Sequence, residues 1–226
     1  MKSRIIYSGT NAALEFYLNK GESIKAESDA MLSMSATMDV DGKMEGGILG
    51  GLGRMMSGEK FFFQTLRASR GDGHVLVAPS KPGDIALIEL DGSTEYQLQK
   101  DGFLAGSEGV QVSAKVQNLM KGLFSGEGFF ILKASGRGTL AVSSFGAIHE
   151  INLGPAEEII IDNDHLVAWP STTSYNIEKA SSGWISSFTS GEGFVCRFRG
   201  PGKVLIQSRN INSFASWIKG YVQRIR

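Results

Sequence analysis

Apolar residues fall in short runs of period two, closed by glycine, aspartate or asparagine, along nearly the whole chain. That pattern predicts a protein of short β-strands. Leu14-Glu15-Phe16-Tyr17-Leu18 runs into a Lys20-Gly21-Glu22 turn, and Ser23 to Met38 follows with Ile24, Ala26, Met31 and Met34. Glu95-Tyr96-Gln97-Leu98 turns at Asp101-Gly102 and goes on through Val110-Gln111-Val112. Glu150-Ile151-Asn152-Leu153 turns at Gly154-Pro155, continues as Glu158-Ile159-Ile160-Ile161, and reaches Leu166-Val167-Ala168-Trp169 after Asn163-Asp164. Only the end of the chain changes to helical spacing. There Phe214, Trp217, Ile218, Tyr221 and Ile225 share one face, with Lys219, Gln223 and Arg224 on the other. Asn212 or Ser213 is the expected N-cap.

The strand pattern repeats three times. Ser57-Gly58-Glu59 leads to Phe61, Ser125-Gly126-Glu127 to Phe129, and Ser190-Gly191-Glu192 to Phe194, the serines lying 68 and 65 residues apart. A Gly-x-Gly segment comes next each time, at Gly71-Asp72-Gly73, Gly136-Arg137-Gly138 and Gly200-Pro201-Gly202, and another apolar strand follows it. Each unit therefore reads as an opening hairpin, an apolar loop, the Ser-Gly-Glu strand, a glycine hairpin turn and a closing strand. One such unit buries too little apolar surface to stand alone, and three packed about an axis would share a core. The expectation is an all-β fold, a β-prism-like structure or short double-stranded β-helix barrel, with a C-terminal helix. Its single domain spans 1–226, with repeats at about 11–92, 93–148 and 149–211 and the helix at 212–226. Phe61, Phe129 and Phe194 are expected to point into the core.

Composition adds mostly exclusions. The 23 basic and 23 acidic residues cancel, so no global field draws the chain to nucleic acid or an anionic membrane. A single cysteine, Cys196, rules out an intrachain disulfide framework and fits a reducing compartment. The first residues, Met1 to Tyr7, lack the apolar core of a signal peptide, and no stretch supplies the roughly 18 apolar residues of a spanning helix. A cytoplasmic protein is expected. The 29 glycines against five prolines sit singly or in pairs between apolar runs, which suits turns between strands.

The loop Gly42-Lys43-Met44-Glu45-Gly46-Gly47-Ile48-Leu49-Gly50-Gly51-Leu52-Gly53-Arg54-Met55-Met56, followed by Ser57-Gly58-Glu59 and its aromatic strand, resembles a family signature. The family is named for altered inheritance of mitochondria; it has bacterial and archaeal members and a yeast mitochondrial biogenesis protein. The likeness covers essentially the whole chain, including the later Ser-Gly-Glu-Gly-Phe copies. It implies a β-rich fold like that of the tryptophan RNA-binding attenuation protein, a shortened double-stranded β-helix that assembles into rings. It implies no established enzymatic activity and supplies no catalytic residue to carry over. The mitochondrial member is linked to inner-membrane organisation.

Candidate chemistry is sparse. Glu59, Glu127 and Glu192 occupy equivalent positions and would suit a cation only if they converged; otherwise each caps a turn or pairs with a nearby base. His74, His149 and His165 have no ligand partner at metal-binding spacing, and His149 and Glu150 point to opposite faces of a strand. Cys196 stands where the other repeats have Phe63 and Ile131, which suits a small buried hydrophobe. No Gly-x-Ser-x-Gly elbow occurs, and the Gly-x-Gly segments lack the helix that a phosphate loop needs. Metal and cofactor are both assigned as none, and no enzymatic activity is expected.

The loops before each Ser-Gly-Glu carry more information. Five residues before the serine stand Leu52, Met120 and Ile185, and two before it Met55, Leu123 and Phe188, a spacing that gives one helical turn a greasy side. Either these loops plug the barrel or they form an exposed patch at one end of it. The expected interaction surface is Leu49, Leu52, Met55, Met56, Leu123, Phe124, Trp184 and Phe188. Lys43, Arg54 and Lys121 lie close by for anionic headgroups. Nucleic acid is disfavoured, although Arg197, Arg199, Lys203 and Arg209 could make a local basic stripe. The reading is a non-enzymatic homo-oligomeric interaction or scaffolding protein whose partners are its own copies, with another protein or a membrane surface as a further partner through the apolar loops. A membrane-surface organiser using the same loops, and a small-ligand or RNA binder, are the alternatives.

Overall fold

The computed structural model describes residues 1–41, 63–117, 129–179 and 194–222. Strand β1 (Lys2–Ile6) leads into a first unit of six strands. These are β2 (Ala13–Leu18), β3 (Ser23–Glu27), β4 (Met31–Met34), β5 (Asp39–Asp41), β6 (Phe63–Arg67) and β7 (Gly73–Val77). The second unit has β8 (Ile85–Asp91), β9 (Tyr96–Gln99), β10 (Phe103–Ser107), β11 (Val110–Gln117) and the long β12 (Phe129–Ser143). The third has β13 (Ile148–Leu153), β14 (Glu158–Asp162), β15 (Leu166–Pro170), β16 (Ser174–Lys179), β17 (Phe194–Arg199) and β18 (Gly202–Gln207). Helix α1 (Ile211–Val222) closes the described chain. The protein is all-β with a C-terminal helix, as its periodicity predicts.

One pairing scheme recurs in all three units. The first strand pairs with the last and the last with the third, giving β2-β7-β4 and β13-β18-β15. The second pairs with the fifth and the fifth with the fourth, giving β3-β6-β5 and β14-β17-β16. In unit two the fifth and sixth strands are fused, so one half of β12 pairs with β9 and β11 and the other half with β8 and β10. Each unit is thus a small sandwich of two three-stranded sheets. Their inner faces meet in a separate core: Leu14, Phe16 and Val75 over Ile24 and Leu66, then Leu140 and Val142 over Leu98 and Leu132, then Trp169 and Val204 over Cys196 and Phe198.

This scheme corrects the sequence reading in three places. The first two strands of a unit do not form a hairpin; they enter opposite sheets, because each is completed by a strand far along the chain. Unit two opens at β8, which the repeat motif alone does not mark. The Gly-x-Gly segments are corners, not hairpin turns: the first and third separate strands of different sheets (β6 from β7, β17 from β18), and the second lies inside the continuous β12. At the second corner Gly136 and Gly138 have φ of +96° and +130°, so β12 bends between sheets without breaking. A Cβ on Gly136 would also collide with the carbonyl oxygen of Gly109.

Units are joined by backbone pairing between the third strand of one and the second strand of its predecessor. β10 lies against β3, with Ala105 opposite Ala26, and β15 against β9, with Ala168 opposite Leu98. Each third strand carries a register shift, between Met31 and Ser33, Phe103 and Ala105, and Leu166 and Ala168. Among the described residues no sheet closes on itself. β4 and β14 lie at sheet edges, each hydrogen-bonded on one side.

In the turn from β8 to β9 the Asp91 carboxylate accepts hydrogen bonds from the backbone N–H groups of Ser93 (2.8 Å) and Thr94 (3.0 Å) and from the Ser93 hydroxyl (2.8 Å). The Thr94 and Ser93 amides pull its pKa from the ordinary 3.8 to about 2. A depressed folded-state pKa stabilises above the unfolded value. The contribution of Asp91 is therefore complete above about pH 4 and lost as pH falls toward 2. A carbon-13 NMR titration of the native chain should place the Asp91 midpoint well below that of the unfolded chain. In unit three, Trp169 packs edge-on against Tyr175 (5.3 Å) and Phe198 (5.6 Å). Trp169→Ala should cost about 3–5 kcal/mol in urea unfolding.

Candidate interaction surfaces

The expected apolar patch (Leu49, Leu52, Met55, Met56, Leu123, Phe124, Trp184 and Phe188) lies outside the described residues, as do Glu59, Glu127, Glu192 and Phe61. What is described is the framework that carries the loops. All three span equivalent antiparallel hairpins: β5 and β6 with Asp41 opposite Thr65, β11 and β12 with Gln117 opposite Phe129, β16 and β17 with Lys179 opposite Phe194. The loops thus share one topological position in each unit. Phe194 at the base of the third is half-buried.

Two apolar surfaces outside the expected patch stand out in the described chain: open sheet edges, which the sequence did not mark, and the terminal helix, whose apolar face it did. The first is the pair of open edges. Leu104 and Val167, the residues within the register shifts of β10 and β15, are 0% and 1% exposed, because each is covered at a unit junction. Their counterpart in β4, Leu32, is 59% exposed. On the other edge, Ile160 lies six residues before Leu166, as Lys25 lies before Met31 and Gln97 before Phe103. Ile160 is also exposed, between Glu158 and Asp162 on an otherwise isoleucine-rich strand. The only sequence signal was the conserved order of strands within a unit, which does not show which junction stays open.

The second is helix α1. It begins one residue earlier than the expected caps, and Asn210 is the cap, its Oδ1 accepting the backbone N–H of Ser213 at 3.0 Å. Asp164 Oδ2 accepts hydrogen bonds from the side-chain amides of Asn210 (3.0 Å) and Asn212 (3.2 Å). Phe214 rests on Phe145 with ring centroids 5.3 Å apart. Beyond this tethered first turn, Trp217, Ile218, Tyr221 and Val222 are exposed.

Polar groups are largely neutralised. Arg197 donates to Glu178 (2.9 Å) and lies 3.6 Å from Glu158, Arg199 is 4.0 Å from Glu158, and Lys203 is 2.8 Å from Glu150. Three members of the expected basic stripe therefore face carboxylates of their own sheets. His74 stacks on Tyr17 at 5.4 Å, and the Nδ1 of His165 is 2.7 Å from the Gln207 carbonyl oxygen. Among the described residues no three metal-ligating side chains cluster. Burial pushes the Glu27 carboxyl up and the Lys81 ammonium down, although the Lys81 Nζ donates to the Asp101 carbonyl at 2.8 Å.

These features define a class: an all-β protein of tandem sandwich units with open sheet edges and an exposed amphipathic helix. The family model described as mitochondrial biogenesis AIM24 matches residues 3–209, and the chain belongs to that family. It is 36% identical over 217 residues to an uncharacterized protein of Streptococcus pyogenes serotype M6, covering 92% of this chain and 86% of that one. It is 28% identical over 124 residues to the mitochondrial protein altered inheritance of mitochondria 24 of Verticillium alfalfae, covering 54% of this chain and 32% of the fungal one. A crystal structure of a Streptococcus pyogenes protein superposes with a TM-score of 0.80 at 34% identity, covering 97% and 99% of the two chains.

The Cys196 thiol is fully buried, and burial together with the nearby Asp162 raises its pKa to about 12. It is the only cysteine, so thiol labelling reads this site alone. At pH 8 a disulfide reagent should modify the native chain at least about 100-fold more slowly than the urea-unfolded chain. Comparable rates would show the core of unit three to be open.

Proposed function

We propose that this chain is a non-enzymatic scaffolding module that assembles with its own copies. One observation carries the reading: a junction made twice within the chain is left half-made at each end. β4 offers the same bulged third strand as β10 and β15, and β14 the same second strand as β3 and β9. A β14 of one copy added to the β4 of the next repeats an arrangement whose register the sequence already satisfies. The halves differ, so the contact is head to tail and builds a ring or a filament. Open edges with exposed apolar residues invite pairing, and β4 carries neither a charged residue nor a proline to prevent it. The same junction made within one chain would instead complete a three-sided prism. The exposure of Leu32 and Ile160 favours the intermolecular form. The RNA-binding alternative loses support from the carboxylates that face Arg197, Arg199 and Lys203.

Size-exclusion light scattering tests the reading. The wild-type chain should run at a multiple of 24.3 kDa, and Leu32→Lys should weaken assembly about 30- to 100-fold, the loss expected from burying one leucine. A wild-type monomer rejects it. A monomer that Leu32→Lys also destabilises would assign the junction to closure within one chain.

A further inference from the structure

From helix α1 we infer that the chain docks on anionic lipid bilayers, through a surface independent of the self-assembly proposed above. The helix divides cleanly. Ile211, Phe214, Trp217, Ile218, Tyr221 and Val222 lie in one arc at about 100° per residue, and Asn212, Ser213, Ser216, Lys219 and Gly220 in the opposite one. The apolar arc is not used to pack on the sandwiches. Apart from the contact of Phe214 with Phe145, its aromatic residues stack on one another, Phe214 with Trp217 at 5.8 Å and Trp217 with Tyr221 at 4.9 Å. Trp217 is 58% exposed.

Charge selects the occupant. From Gly193 to the end of the sequence there are seven basic residues and no acidic one. Arg197, Arg199 and Lys203 are held by carboxylates of the sheets. That leaves Arg209 and Lys219, which make no ion pair among the described residues, as positive charge beside and on the helix. A second copy of this helix would bring like charges together with no carboxylate to offset them. A bilayer rich in anionic headgroups supplies the missing sign, and tryptophan and tyrosine prefer the depth at which such a helix would lie. Among the described residues no helix is long and apolar enough to cross a membrane, so α1 would lie in the interface. The tether at Asp164 and Phe145 would hold the sandwich units beside the membrane. The matched family region ends at residue 209, before the helix begins.

The test uses the full chain with vesicles of mixed phosphatidylglycerol and phosphatidylcholine, and with phosphatidylcholine alone. Cosedimentation should occur with the anionic vesicles and fade at high salt. Tryptophan emission should shift to the blue on binding, and Trp217→Phe should abolish the shift while leaving sedimentation nearly unchanged. Trp217→Asp should reduce binding at least tenfold. Lys219→Glu, which keeps the apolar arc intact, should reduce it roughly five- to thirtyfold. Circular dichroism of each variant confirms that the sandwiches are intact. Failure of the wild-type chain to bind either vesicle overturns the inference, as does binding that neither Trp217→Asp nor Lys219→Glu weakens. A helix used for self-association would show as a fall in mass for Trp217→Asp without lipid binding, and that too overturns it.

Discussion

Backbone pairing between units is the constraint on which the rest of this structure depends. A sandwich of two three-stranded sheets has open edges and a thin core, and neither is stable in water by itself. Pairing β10 with β3 and β15 with β9 extends each sheet into its neighbour. The bulge in every third strand follows from this role. It turns the strand so that Leu104 and Val167 become buried at the junctions while the same strand still pairs with the last strand of its own unit.

The same constraint explains where the chain is unfinished. A unit contributes its third strand in one direction and its second strand in the other, so a chain of three units satisfies two junctions. One half-junction remains at each end. Leu32 and Ile160 are the consequence, apolar residues exposed on the two open edges. Polar surface has been handled differently. Arg197, Arg199 and Lys203 are set across strands from Glu178, Glu158 and Glu150, so the face of unit three is balanced and not basic. Such exposed pairs add little stability.

Much of the architecture was legible. Period-two runs gave the strands, the threefold Ser-Gly-Glu motif gave the number of units, and the change to helical spacing gave α1 within a residue or two. The loops that the motif marks were correctly seen to be equivalent, since each joins the fourth and fifth strands of a unit. The pairing was not legible. Alternation shows that a strand has one buried face but is silent about its partner, and here the partner of the first strand is the sixth. The Gly-x-Gly corners were mistaken for hairpin turns for the same reason, because a short glycine segment between two strands serves either purpose.

Sequence by itself determined strand content, repetition, the neutral overall charge and the polarity of the terminal helix, all of which are local properties of neighbouring residues. Tertiary structure decided which of three equivalent leucine or valine positions is exposed, since Leu32, Leu104 and Val167 differ only in whether another unit lies beside them. It also decided which arginines are neutralised and that Glu27 and Lys81 are each half-buried. These outcomes depend on contacts between residues far apart in the chain, and burial and charge pairing are properties of such contacts.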